Sequence, residues 1–247
     1  MKENYIYGRN PVIEALSSES GVDKIYMLKD SNDGASRKIL SLAKEAGIVV
    51  TRVDAGKLES MAGTKNNQGV VALATDFNYS TVDEILDYAR EKDEDPFVLI
   101  LDQIEDTHNL GAIIRTAEAC GVHGIIIPKR RAAQVNSTVH KTSAGAIEYM
   151  KVAKVTNISR TLEELKEKGL WIYGADMDGE ENYYDSNLTG PIGLVIGGED
   201  KGISPSIGDK CDVLVKIPMV GKISSLNASA SAAILTYEIF RQRNKKA

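Results

Sequence analysis

The 247-residue sequence predicts an α/β fold built on a mostly parallel sheet with flanking helices. Two observations carry this. Short apolar runs of strand length alternate with helical patterns along the whole chain. Several of those runs end in polar or glycine-rich turns that open the next helix, as crossover connections in parallel sheets do.

In the first part, Asn10-Pro11 reads as an N-cap followed by proline at the first helical position, opening a helix over 12–16. Strands are expected over 24–28, 48–53 and 69–75, with a helix over 36–46 closed by Gly47. The stretch 81–94 contains Val82, Ile85, Leu86 and Ala89 and is in part helical, and 91–96 reads as a solvated connection. The expected organisation is therefore a first domain over 1–76, an acidic linker over 77–95 and a second domain over 96–247. In that second domain strands are expected over 97–102, 124–128, 171–175, 193–196 and 213–217, with helices over 110–120 and 226–243.

The formal net charge of −5 argues on its face against a polyanionic partner. Its distribution changes that reading: residues 79–95 hold seven acids and two bases, so the whole excess sits there and the rest is balanced. Local basic patches remain compatible with this pattern. No apolar run approaches the roughly 20 residues of a membrane-crossing helix, and Met1–Tyr5 leads into no apolar signal region, so a cytoplasmic location is expected. Cys120 and Cys211 lack CxxC spacing and sit beside apolar residues, which suits buried free thiols. His108, His123 and His140 have no partner at metal-ligand spacing, and no zinc site is expected. GxGxxG is absent. Gly197 to Gly202 has phosphate-loop spacing, but Ile203 stands where the lysine would, which disfavours an NTPase.

Three clusters carry polar residues at strand ends. The first spans 102–117, where Asn109 precedes a helix whose apolar stripe is Leu110, Ile113, Ile114 and Ala117; Arg115 points roughly 140° from that stripe. The second is Gly197-Gly198-Glu199 after an apolar strand. The third, Ile217 to Glu238, enters a Gly/Ser loop holding Ser225 and Asn227 and then a helix of small residues. Singly, each has a bland reading: Asn109, Ser225 or Asn227 as helix caps, Arg115 as a solvated arginine, the glycine pair as a turn.

Together, in order and in register, they resemble the three motifs of the SpoU/TrmH family of RNA 2′-O-ribose methyltransferases, through Asn109 and Arg115, then Glu199, then Ser225-Leu226-Asn227. The segments 7–16 and 67–72 resemble the small L30e-like RNA-binding domain of many members, a layout most like the bacterial enzymes that modify a guanosine ribose in 23S rRNA. Thr107 stands where proline is common, and Asn67 where histidine is common. The resemblance implies a knotted SPOUT-type catalytic domain, a homodimer, and S-adenosylmethionine (SAM) as methyl donor, with Gly197, Ile217, Leu226 and nearby Met219 at its site. It nominates Arg115, Asn109, Glu199, Ser225 and Asn227 for catalysis, and needs no metal because the sulfonium already activates the methyl group. Arg9, Lys129, Arg130, Arg131 and Lys141 are the candidates for RNA contact. A tRNA substrate, or a non-catalytic RNA-binding protein of the same fold, are the alternatives.

Overall fold

The computed structural model describes residues 5–17, 21–75, 77–199, 202–223 and 225–244. They fall into two compact units, Met1–Asn78 with Ala133–Thr138, and Tyr79–Ala132 with Val139–Ala247. In the first, β1 (Tyr5–Tyr7), α1 (Arg9–Ser17), β2 (Gly21–Leu28), α2 (Gly34–Glu45), β3 (Val49–Val53), α3 (Ala55–Ala62) and β4 (Val70–Thr75) form a sheet of order β1-β4-β2-β3. Its core is Val12, Ile25, Met27, Ile39, Ala43, Val70 and Ala72. The expected Asn10 cap is not used: α1 starts at Arg9, whose N–H donates to Gln68 Oε1 at 3.0 Å, and left-handed Gly8 (φ 95°) supplies the turn. Asp33 caps α2 through the Ser36 N–H at 3.0 Å, and Gly47 closes it at φ 66°.

The second unit opens with α4 (Val82–Glu91), inside the stretch expected as an acidic and partly helical linker. Thr81 and Glu84 form a reciprocal capping box, and Ile85, Leu86 and Ala89 are buried. The acids occupy the outer face of a helix whose inner face belongs to the core with Val98, Ile100, Ile126 and Val195. There follow β5 (Phe97–Asp102), α5 (Thr107–Ala119), β6 (Gly124–Pro128), α6 (Ser137–Thr142), β7 (Val152–Val155), α7 (Ile158–Glu167), β8 (Trp171–Ala175), β9 (Glu181–Asn182), β10 (Ile192–Gly197), α8 (Pro205–Gly208), β11 (Val213–Lys216) and α9 (Ala228–Arg243). The seven-stranded sheet has the order β7-β6-β5-β10-β8-β11-β9 and every pairing in it is parallel. Central β5 is buried at all six positions, as expected of a strand covered on both faces. Gly111 lets α5 pack tightly, since a Cβ there would lie 1.8 Å from Thr142 Oγ1. Among the described residues no helix is long and apolar enough to cross a membrane. The free thiols divide: Cys120 is buried, while Cys211 is only partly so.

His123 joins α4 to the sheet. Its side chain is 1% exposed; Nδ1 accepts the Phe97 N–H at 3.0 Å and Nε2 lies 3.0 Å from Glu94 Oε2. With Nδ1 an acceptor, the ring is neutral and carries its proton on Nε2. Burial holds the ring's pKa below its ordinary 6.5, outweighing the opposing pull of Glu94. Because the folded pKa is depressed, the contribution of His123 to stability is fully present above the unfolded value. It is lost as pH falls from there through the folded pKa. The urea midpoint is therefore expected to fall as pH drops below about 6.5, and His123→Gln should flatten that dependence; an unchanged profile in the variant would refute the assignment.

Candidate active site

The carboxyl ends of β5, β10, β8 and β11 lie along one edge of the second unit's sheet, where open parallel sheets gather ligands. Asp102 closes β5 opposite Gly197 at the end of β10. The Asp102 side chain is buried, and its Oδ2 accepts from Ser204 N at 2.9 Å and Ser204 Oγ at 2.7 Å. This ties the turn after β10 back onto β5. The two glycines are required by backbone packing. A Cβ on Gly197 would sit 2.0 Å from the Gly202 carbonyl carbon, and one on Gly198 would sit 2.6 Å from Gln103 O. Asp200 and Lys201, part of the phosphate-loop spacing weighed from sequence, lie outside the described residues.

Folded back in this way, the turn brings Glu199 to Asn109 and Asn227. The Asn109 amide donates to Glu199 Oε1, and the Asn227 amide donates both to that same oxygen and to Asn109 Oδ1, the last at 3.1 Å. Asn227 is at the same time the N-cap of α9: its Oδ1 accepts from Ser229 N at 2.9 Å, Ala230 N at 3.3 Å and Ser229 Oγ at 2.6 Å. The cap fixes which end of that amide faces the helix, so its NH2 faces Glu199. Asn109, by contrast, is no cap. α5 starts at Thr107 with Asp106 as N-cap, whose Oδ1 accepts His108 N at 2.8 Å, and Asn109 is a buried residue of the first turn. Thr107 is the first helical residue, where proline is equally at home. Asn67 shapes the turn before β4, taking the Gly69 N–H at 3.0 Å and donating to Thr64 O at 3.1 Å.

Beside this network opens a pocket of about 430 Å³. Gly197, Ile217, Met219 and Leu226 line it, together with Glu199 and Ser225. Sequence reading missed Asp176, Met177 and Asp178, which follow β8, and Val215 and Ser231. The Asp178 N–H closes onto Asp176 Oδ1 at 2.8 Å, and Asp176 N donates to Val215 O at 3.0 Å, so this turn is fixed to β11. The described lining holds three carboxylates and no lysine or arginine. That charge pattern suits a cationic ligand and not a phosphate. Ile196, Val215, Ile217 and Leu226 offer an apolar seat for a flat heterocycle, and Asp176, Asp178 and Ser231 offer partners for hydroxyl or ammonium groups. SAM, with a sulfonium, an ammonium, a ribose and an adenine, fits this set.

Arg115 is not part of the network within one chain. It is exposed, lies about 9 Å further along α5 from Asn109, and has no hydrogen bond or ion pair among the described residues. Lys129, Arg130 and Arg131 follow the carboxyl end of β6, on the pocket edge of the sheet, with Arg131 in a left-handed conformation (φ 55°). Lys141 is exposed on α6. In the first unit, Arg9 is already engaged: it pairs with Asp33 at 2.6 Å and donates from Nε to Gln68 O at 3.2 Å. No group of His, Cys, Asp and Glu suited to a metal occurs among the described residues.

Residues 96–237 match the SpoU rRNA Methylase family, and residues 5–80 match the RNA 2′-O ribose methyltransferase substrate binding family. YacO of Bacillus subtilis, assigned to the TrmH family of tRNA/rRNA methyltransferases, is 46% identical over 243 residues, covering 98% of this chain and 97% of YacO. The SpoU methyltransferase AviRb from Streptomyces viridochromogenes, solved in complex with the cofactor AdoMet, is 27% identical, with a TM-score of 0.63 over 100% of this chain and 92% of AviRb. A TrmH/SpoU tRNA modifying enzyme of A. aeolicus is 32% identical, with a TM-score of 0.56 over 61% of this chain and 76% of its own. A pocket suited to a cationic ligand at the carboxyl edge of a parallel sheet, and these matches over nearly the whole chain, lead to one conclusion: the chain belongs to the SpoU family of RNA methyltransferases, with SAM as its methyl donor.

Proposed function

We propose that the protein methylates a ribose 2′-hydroxyl of structured RNA in the cytoplasm, with a guanosine of 23S rRNA as its target. The observation that carries this reading is the Asn109–Glu199–Asn227 network set against the carboxylate-rich pocket. The match to the SpoU rRNA Methylase family, with an N-terminal unit matched to a substrate-binding family, supports ribosomal RNA as the substrate. The tRNA modifying neighbour, which aligns with only 61% of the chain, supports tRNA as the second reading. A non-catalytic RNA-binding role would leave the complete polar network without a use.

SAM, when bound, supplies a sulfonium-activated methyl group for transfer to the ribose oxygen. The chain's own residues hold and orient. Gly197, Ile217, Met219 and Leu226 seat the donor, and Glu199 keeps both asparagine amides in place. Asn227, bonded to both Asn109 and Glu199, fixes the polar wall that the ribose meets, with Ser225 on the pocket wall. Arg115 acts as a cation. A guanidinium stays protonated in proteins, and one that holds phosphate and stabilises the forming alkoxide acts without giving up its proton. An exposed Arg115 supports a reading in which RNA or a second copy of the chain brings it to a pocket. Exposed Tyr237 and Phe240 on α9, which packs on α5, provide a face for a homodimer. Lys129, Arg130, Arg131, Lys141 and Arg9 bind RNA phosphates in this reading, Arg9 after exchanging Asp33 for phosphate.

Incubation of labelled SAM with unmodified 23S rRNA and with tRNA is expected to label the rRNA at one nucleotide whose 3′ linkage resists alkali. Label in tRNA alone would select the second reading, and label in neither would refute methyl transfer to these RNAs. Arg115→Ala should lower kcat on the order of 100-fold, with Arg115→Lys in between; near-normal turnover in both would remove Arg115 from the mechanism. Neutralising Lys129, Arg130 and Arg131 together should weaken RNA binding and lower the log–log salt slope by about 2 to 3. An unaltered slope would discard the patch.

A further inference from the structure

Next to the donor pocket, and sharing Gly198, Glu199 and Gly202 with it, is a second cleft of about 290 Å³. Gln103, Ile104, Glu105, Asp106 and Asn109 complete its wall. Three of its polar side chains are already committed: Asp106 caps α5, and Asn109 and Glu199 bond each other. Two are not. Gln103 and Glu105 are exposed and have no side-chain hydrogen bond or ion pair among the described residues. Gln103 also holds a left-handed backbone (φ 58°), a conformation that costs a non-glycine residue about 1 kcal/mol or more and that clusters at binding sites. Its carbonyl lies against Gly198, so the same packing that fixes the donor turn fixes Gln103.

The cleft has no cation on its described wall, so a phosphate is a poor occupant. Its floor includes the buried apolar Ile104, and its free groups are one carboxylate and one carboxamide. We propose that this cleft receives the target base, turned out of its stack, and that Glu105 reads it as guanine. The inference rests on the RNA methyl-transfer reading above and adds the determinant of nucleotide choice. A carboxylate offers two acceptors side by side. Guanine alone among the four bases presents two adjacent donors, N1–H and the N2 amino group. Adenine and cytosine place a ring acceptor beside their amino group, and uracil has one N–H between two carbonyls. The Gln103 carboxamide supplies a donor for guanine O6. Bases taken out of the stack are read on this Watson–Crick edge.

The test uses the full chain and short RNAs carrying the mapped target nucleotide as guanosine, inosine or adenosine. Inosine keeps N1–H and O6 but lacks the N2 amino group. Initial rates of methyl transfer are measured for the unaltered protein, Glu105→Gln and Gln103→Ala, with SAM binding followed by calorimetry. The unaltered protein should prefer guanosine over inosine and over adenosine. Glu105→Gln should lose about 30-fold in kcat/KM on guanosine and bring the three RNAs close together, while SAM affinity stays within a few-fold, which marks an intact donor pocket. Gln103→Ala should weaken the guanosine preference to a smaller degree. An undiminished preference in Glu105→Gln overturns the cleft assignment alone, and a mapped target other than guanosine overturns both the cleft assignment and the guanosine target while leaving ribose methyl transfer standing. Absence of transfer to any RNA by the unaltered protein overturns the methyl-transfer reading with it.

Discussion

A buried carboxylate needs partners, and Asp102 finds both in Ser204. Because β5 and β10 are neighbours in register, this attachment obliges the chain leaving β10 to fold back over the end of β5. The reversal is so tight that Gly197 and Gly202 meet backbone to backbone. Glu199 rides on that reversal and is delivered to the first turn of α5. Asn227 then locks the arrangement from the other side, since one amide both starts α9 and bonds Glu199. The groups around the pocket are thus positioned by secondary-structure ends and not by long, mobile side chains, which is how a site holds its geometry before a ligand arrives.

Much of this architecture was legible in the sequence because strands buried on both faces read as unbroken apolar runs. Phe97–Asp102, Gly124–Pro128 and Ile192–Gly197 are of that kind, and their limits differ from expectation by a residue at most. Elements with weaker local signals were missed. β7 is four residues interrupted by Lys154, and α7 hides its core positions Ile158, Leu162 and Leu165 among charges, although Asn157 marks its start as an N-cap. The acidic composition of 79–95 obscured α4, whose capping box and buried triplet were the better guides.

The site divides along the same line. The motif residues could be picked out because they sit in three compact segments, and the helix phase of Arg115 already turned it away from the core, as its exposure now shows. What each residue touches was another matter. Local sequence made Asn109 a cap, yet Asp106 already satisfies the free N–H groups there, leaving Asn109 for Glu199. The glycine pair read equally well as a ligand approach, and only the returning loop shows that backbone fills the space. Asp176 and Asp178 carry no signal at all until β8 is seen between β10 and β11.

The position of the acidic stretch has a consequence at longer range. Glu91, Asp93, Glu94 and Asp95 are exposed and enter β5 at its amino end, whereas Lys129, Arg130 and Arg131 leave β6 at its carboxyl end. Along that carboxyl edge the basic run lies at the β6 end, whereas the pocket beyond β10 and β8 is lined by carboxylates. A polyanion is repelled by the acidic stretch and by the pocket's carboxylates and attracted by the basic run, so in a protein of net charge −5 the attraction is confined to one end of one edge.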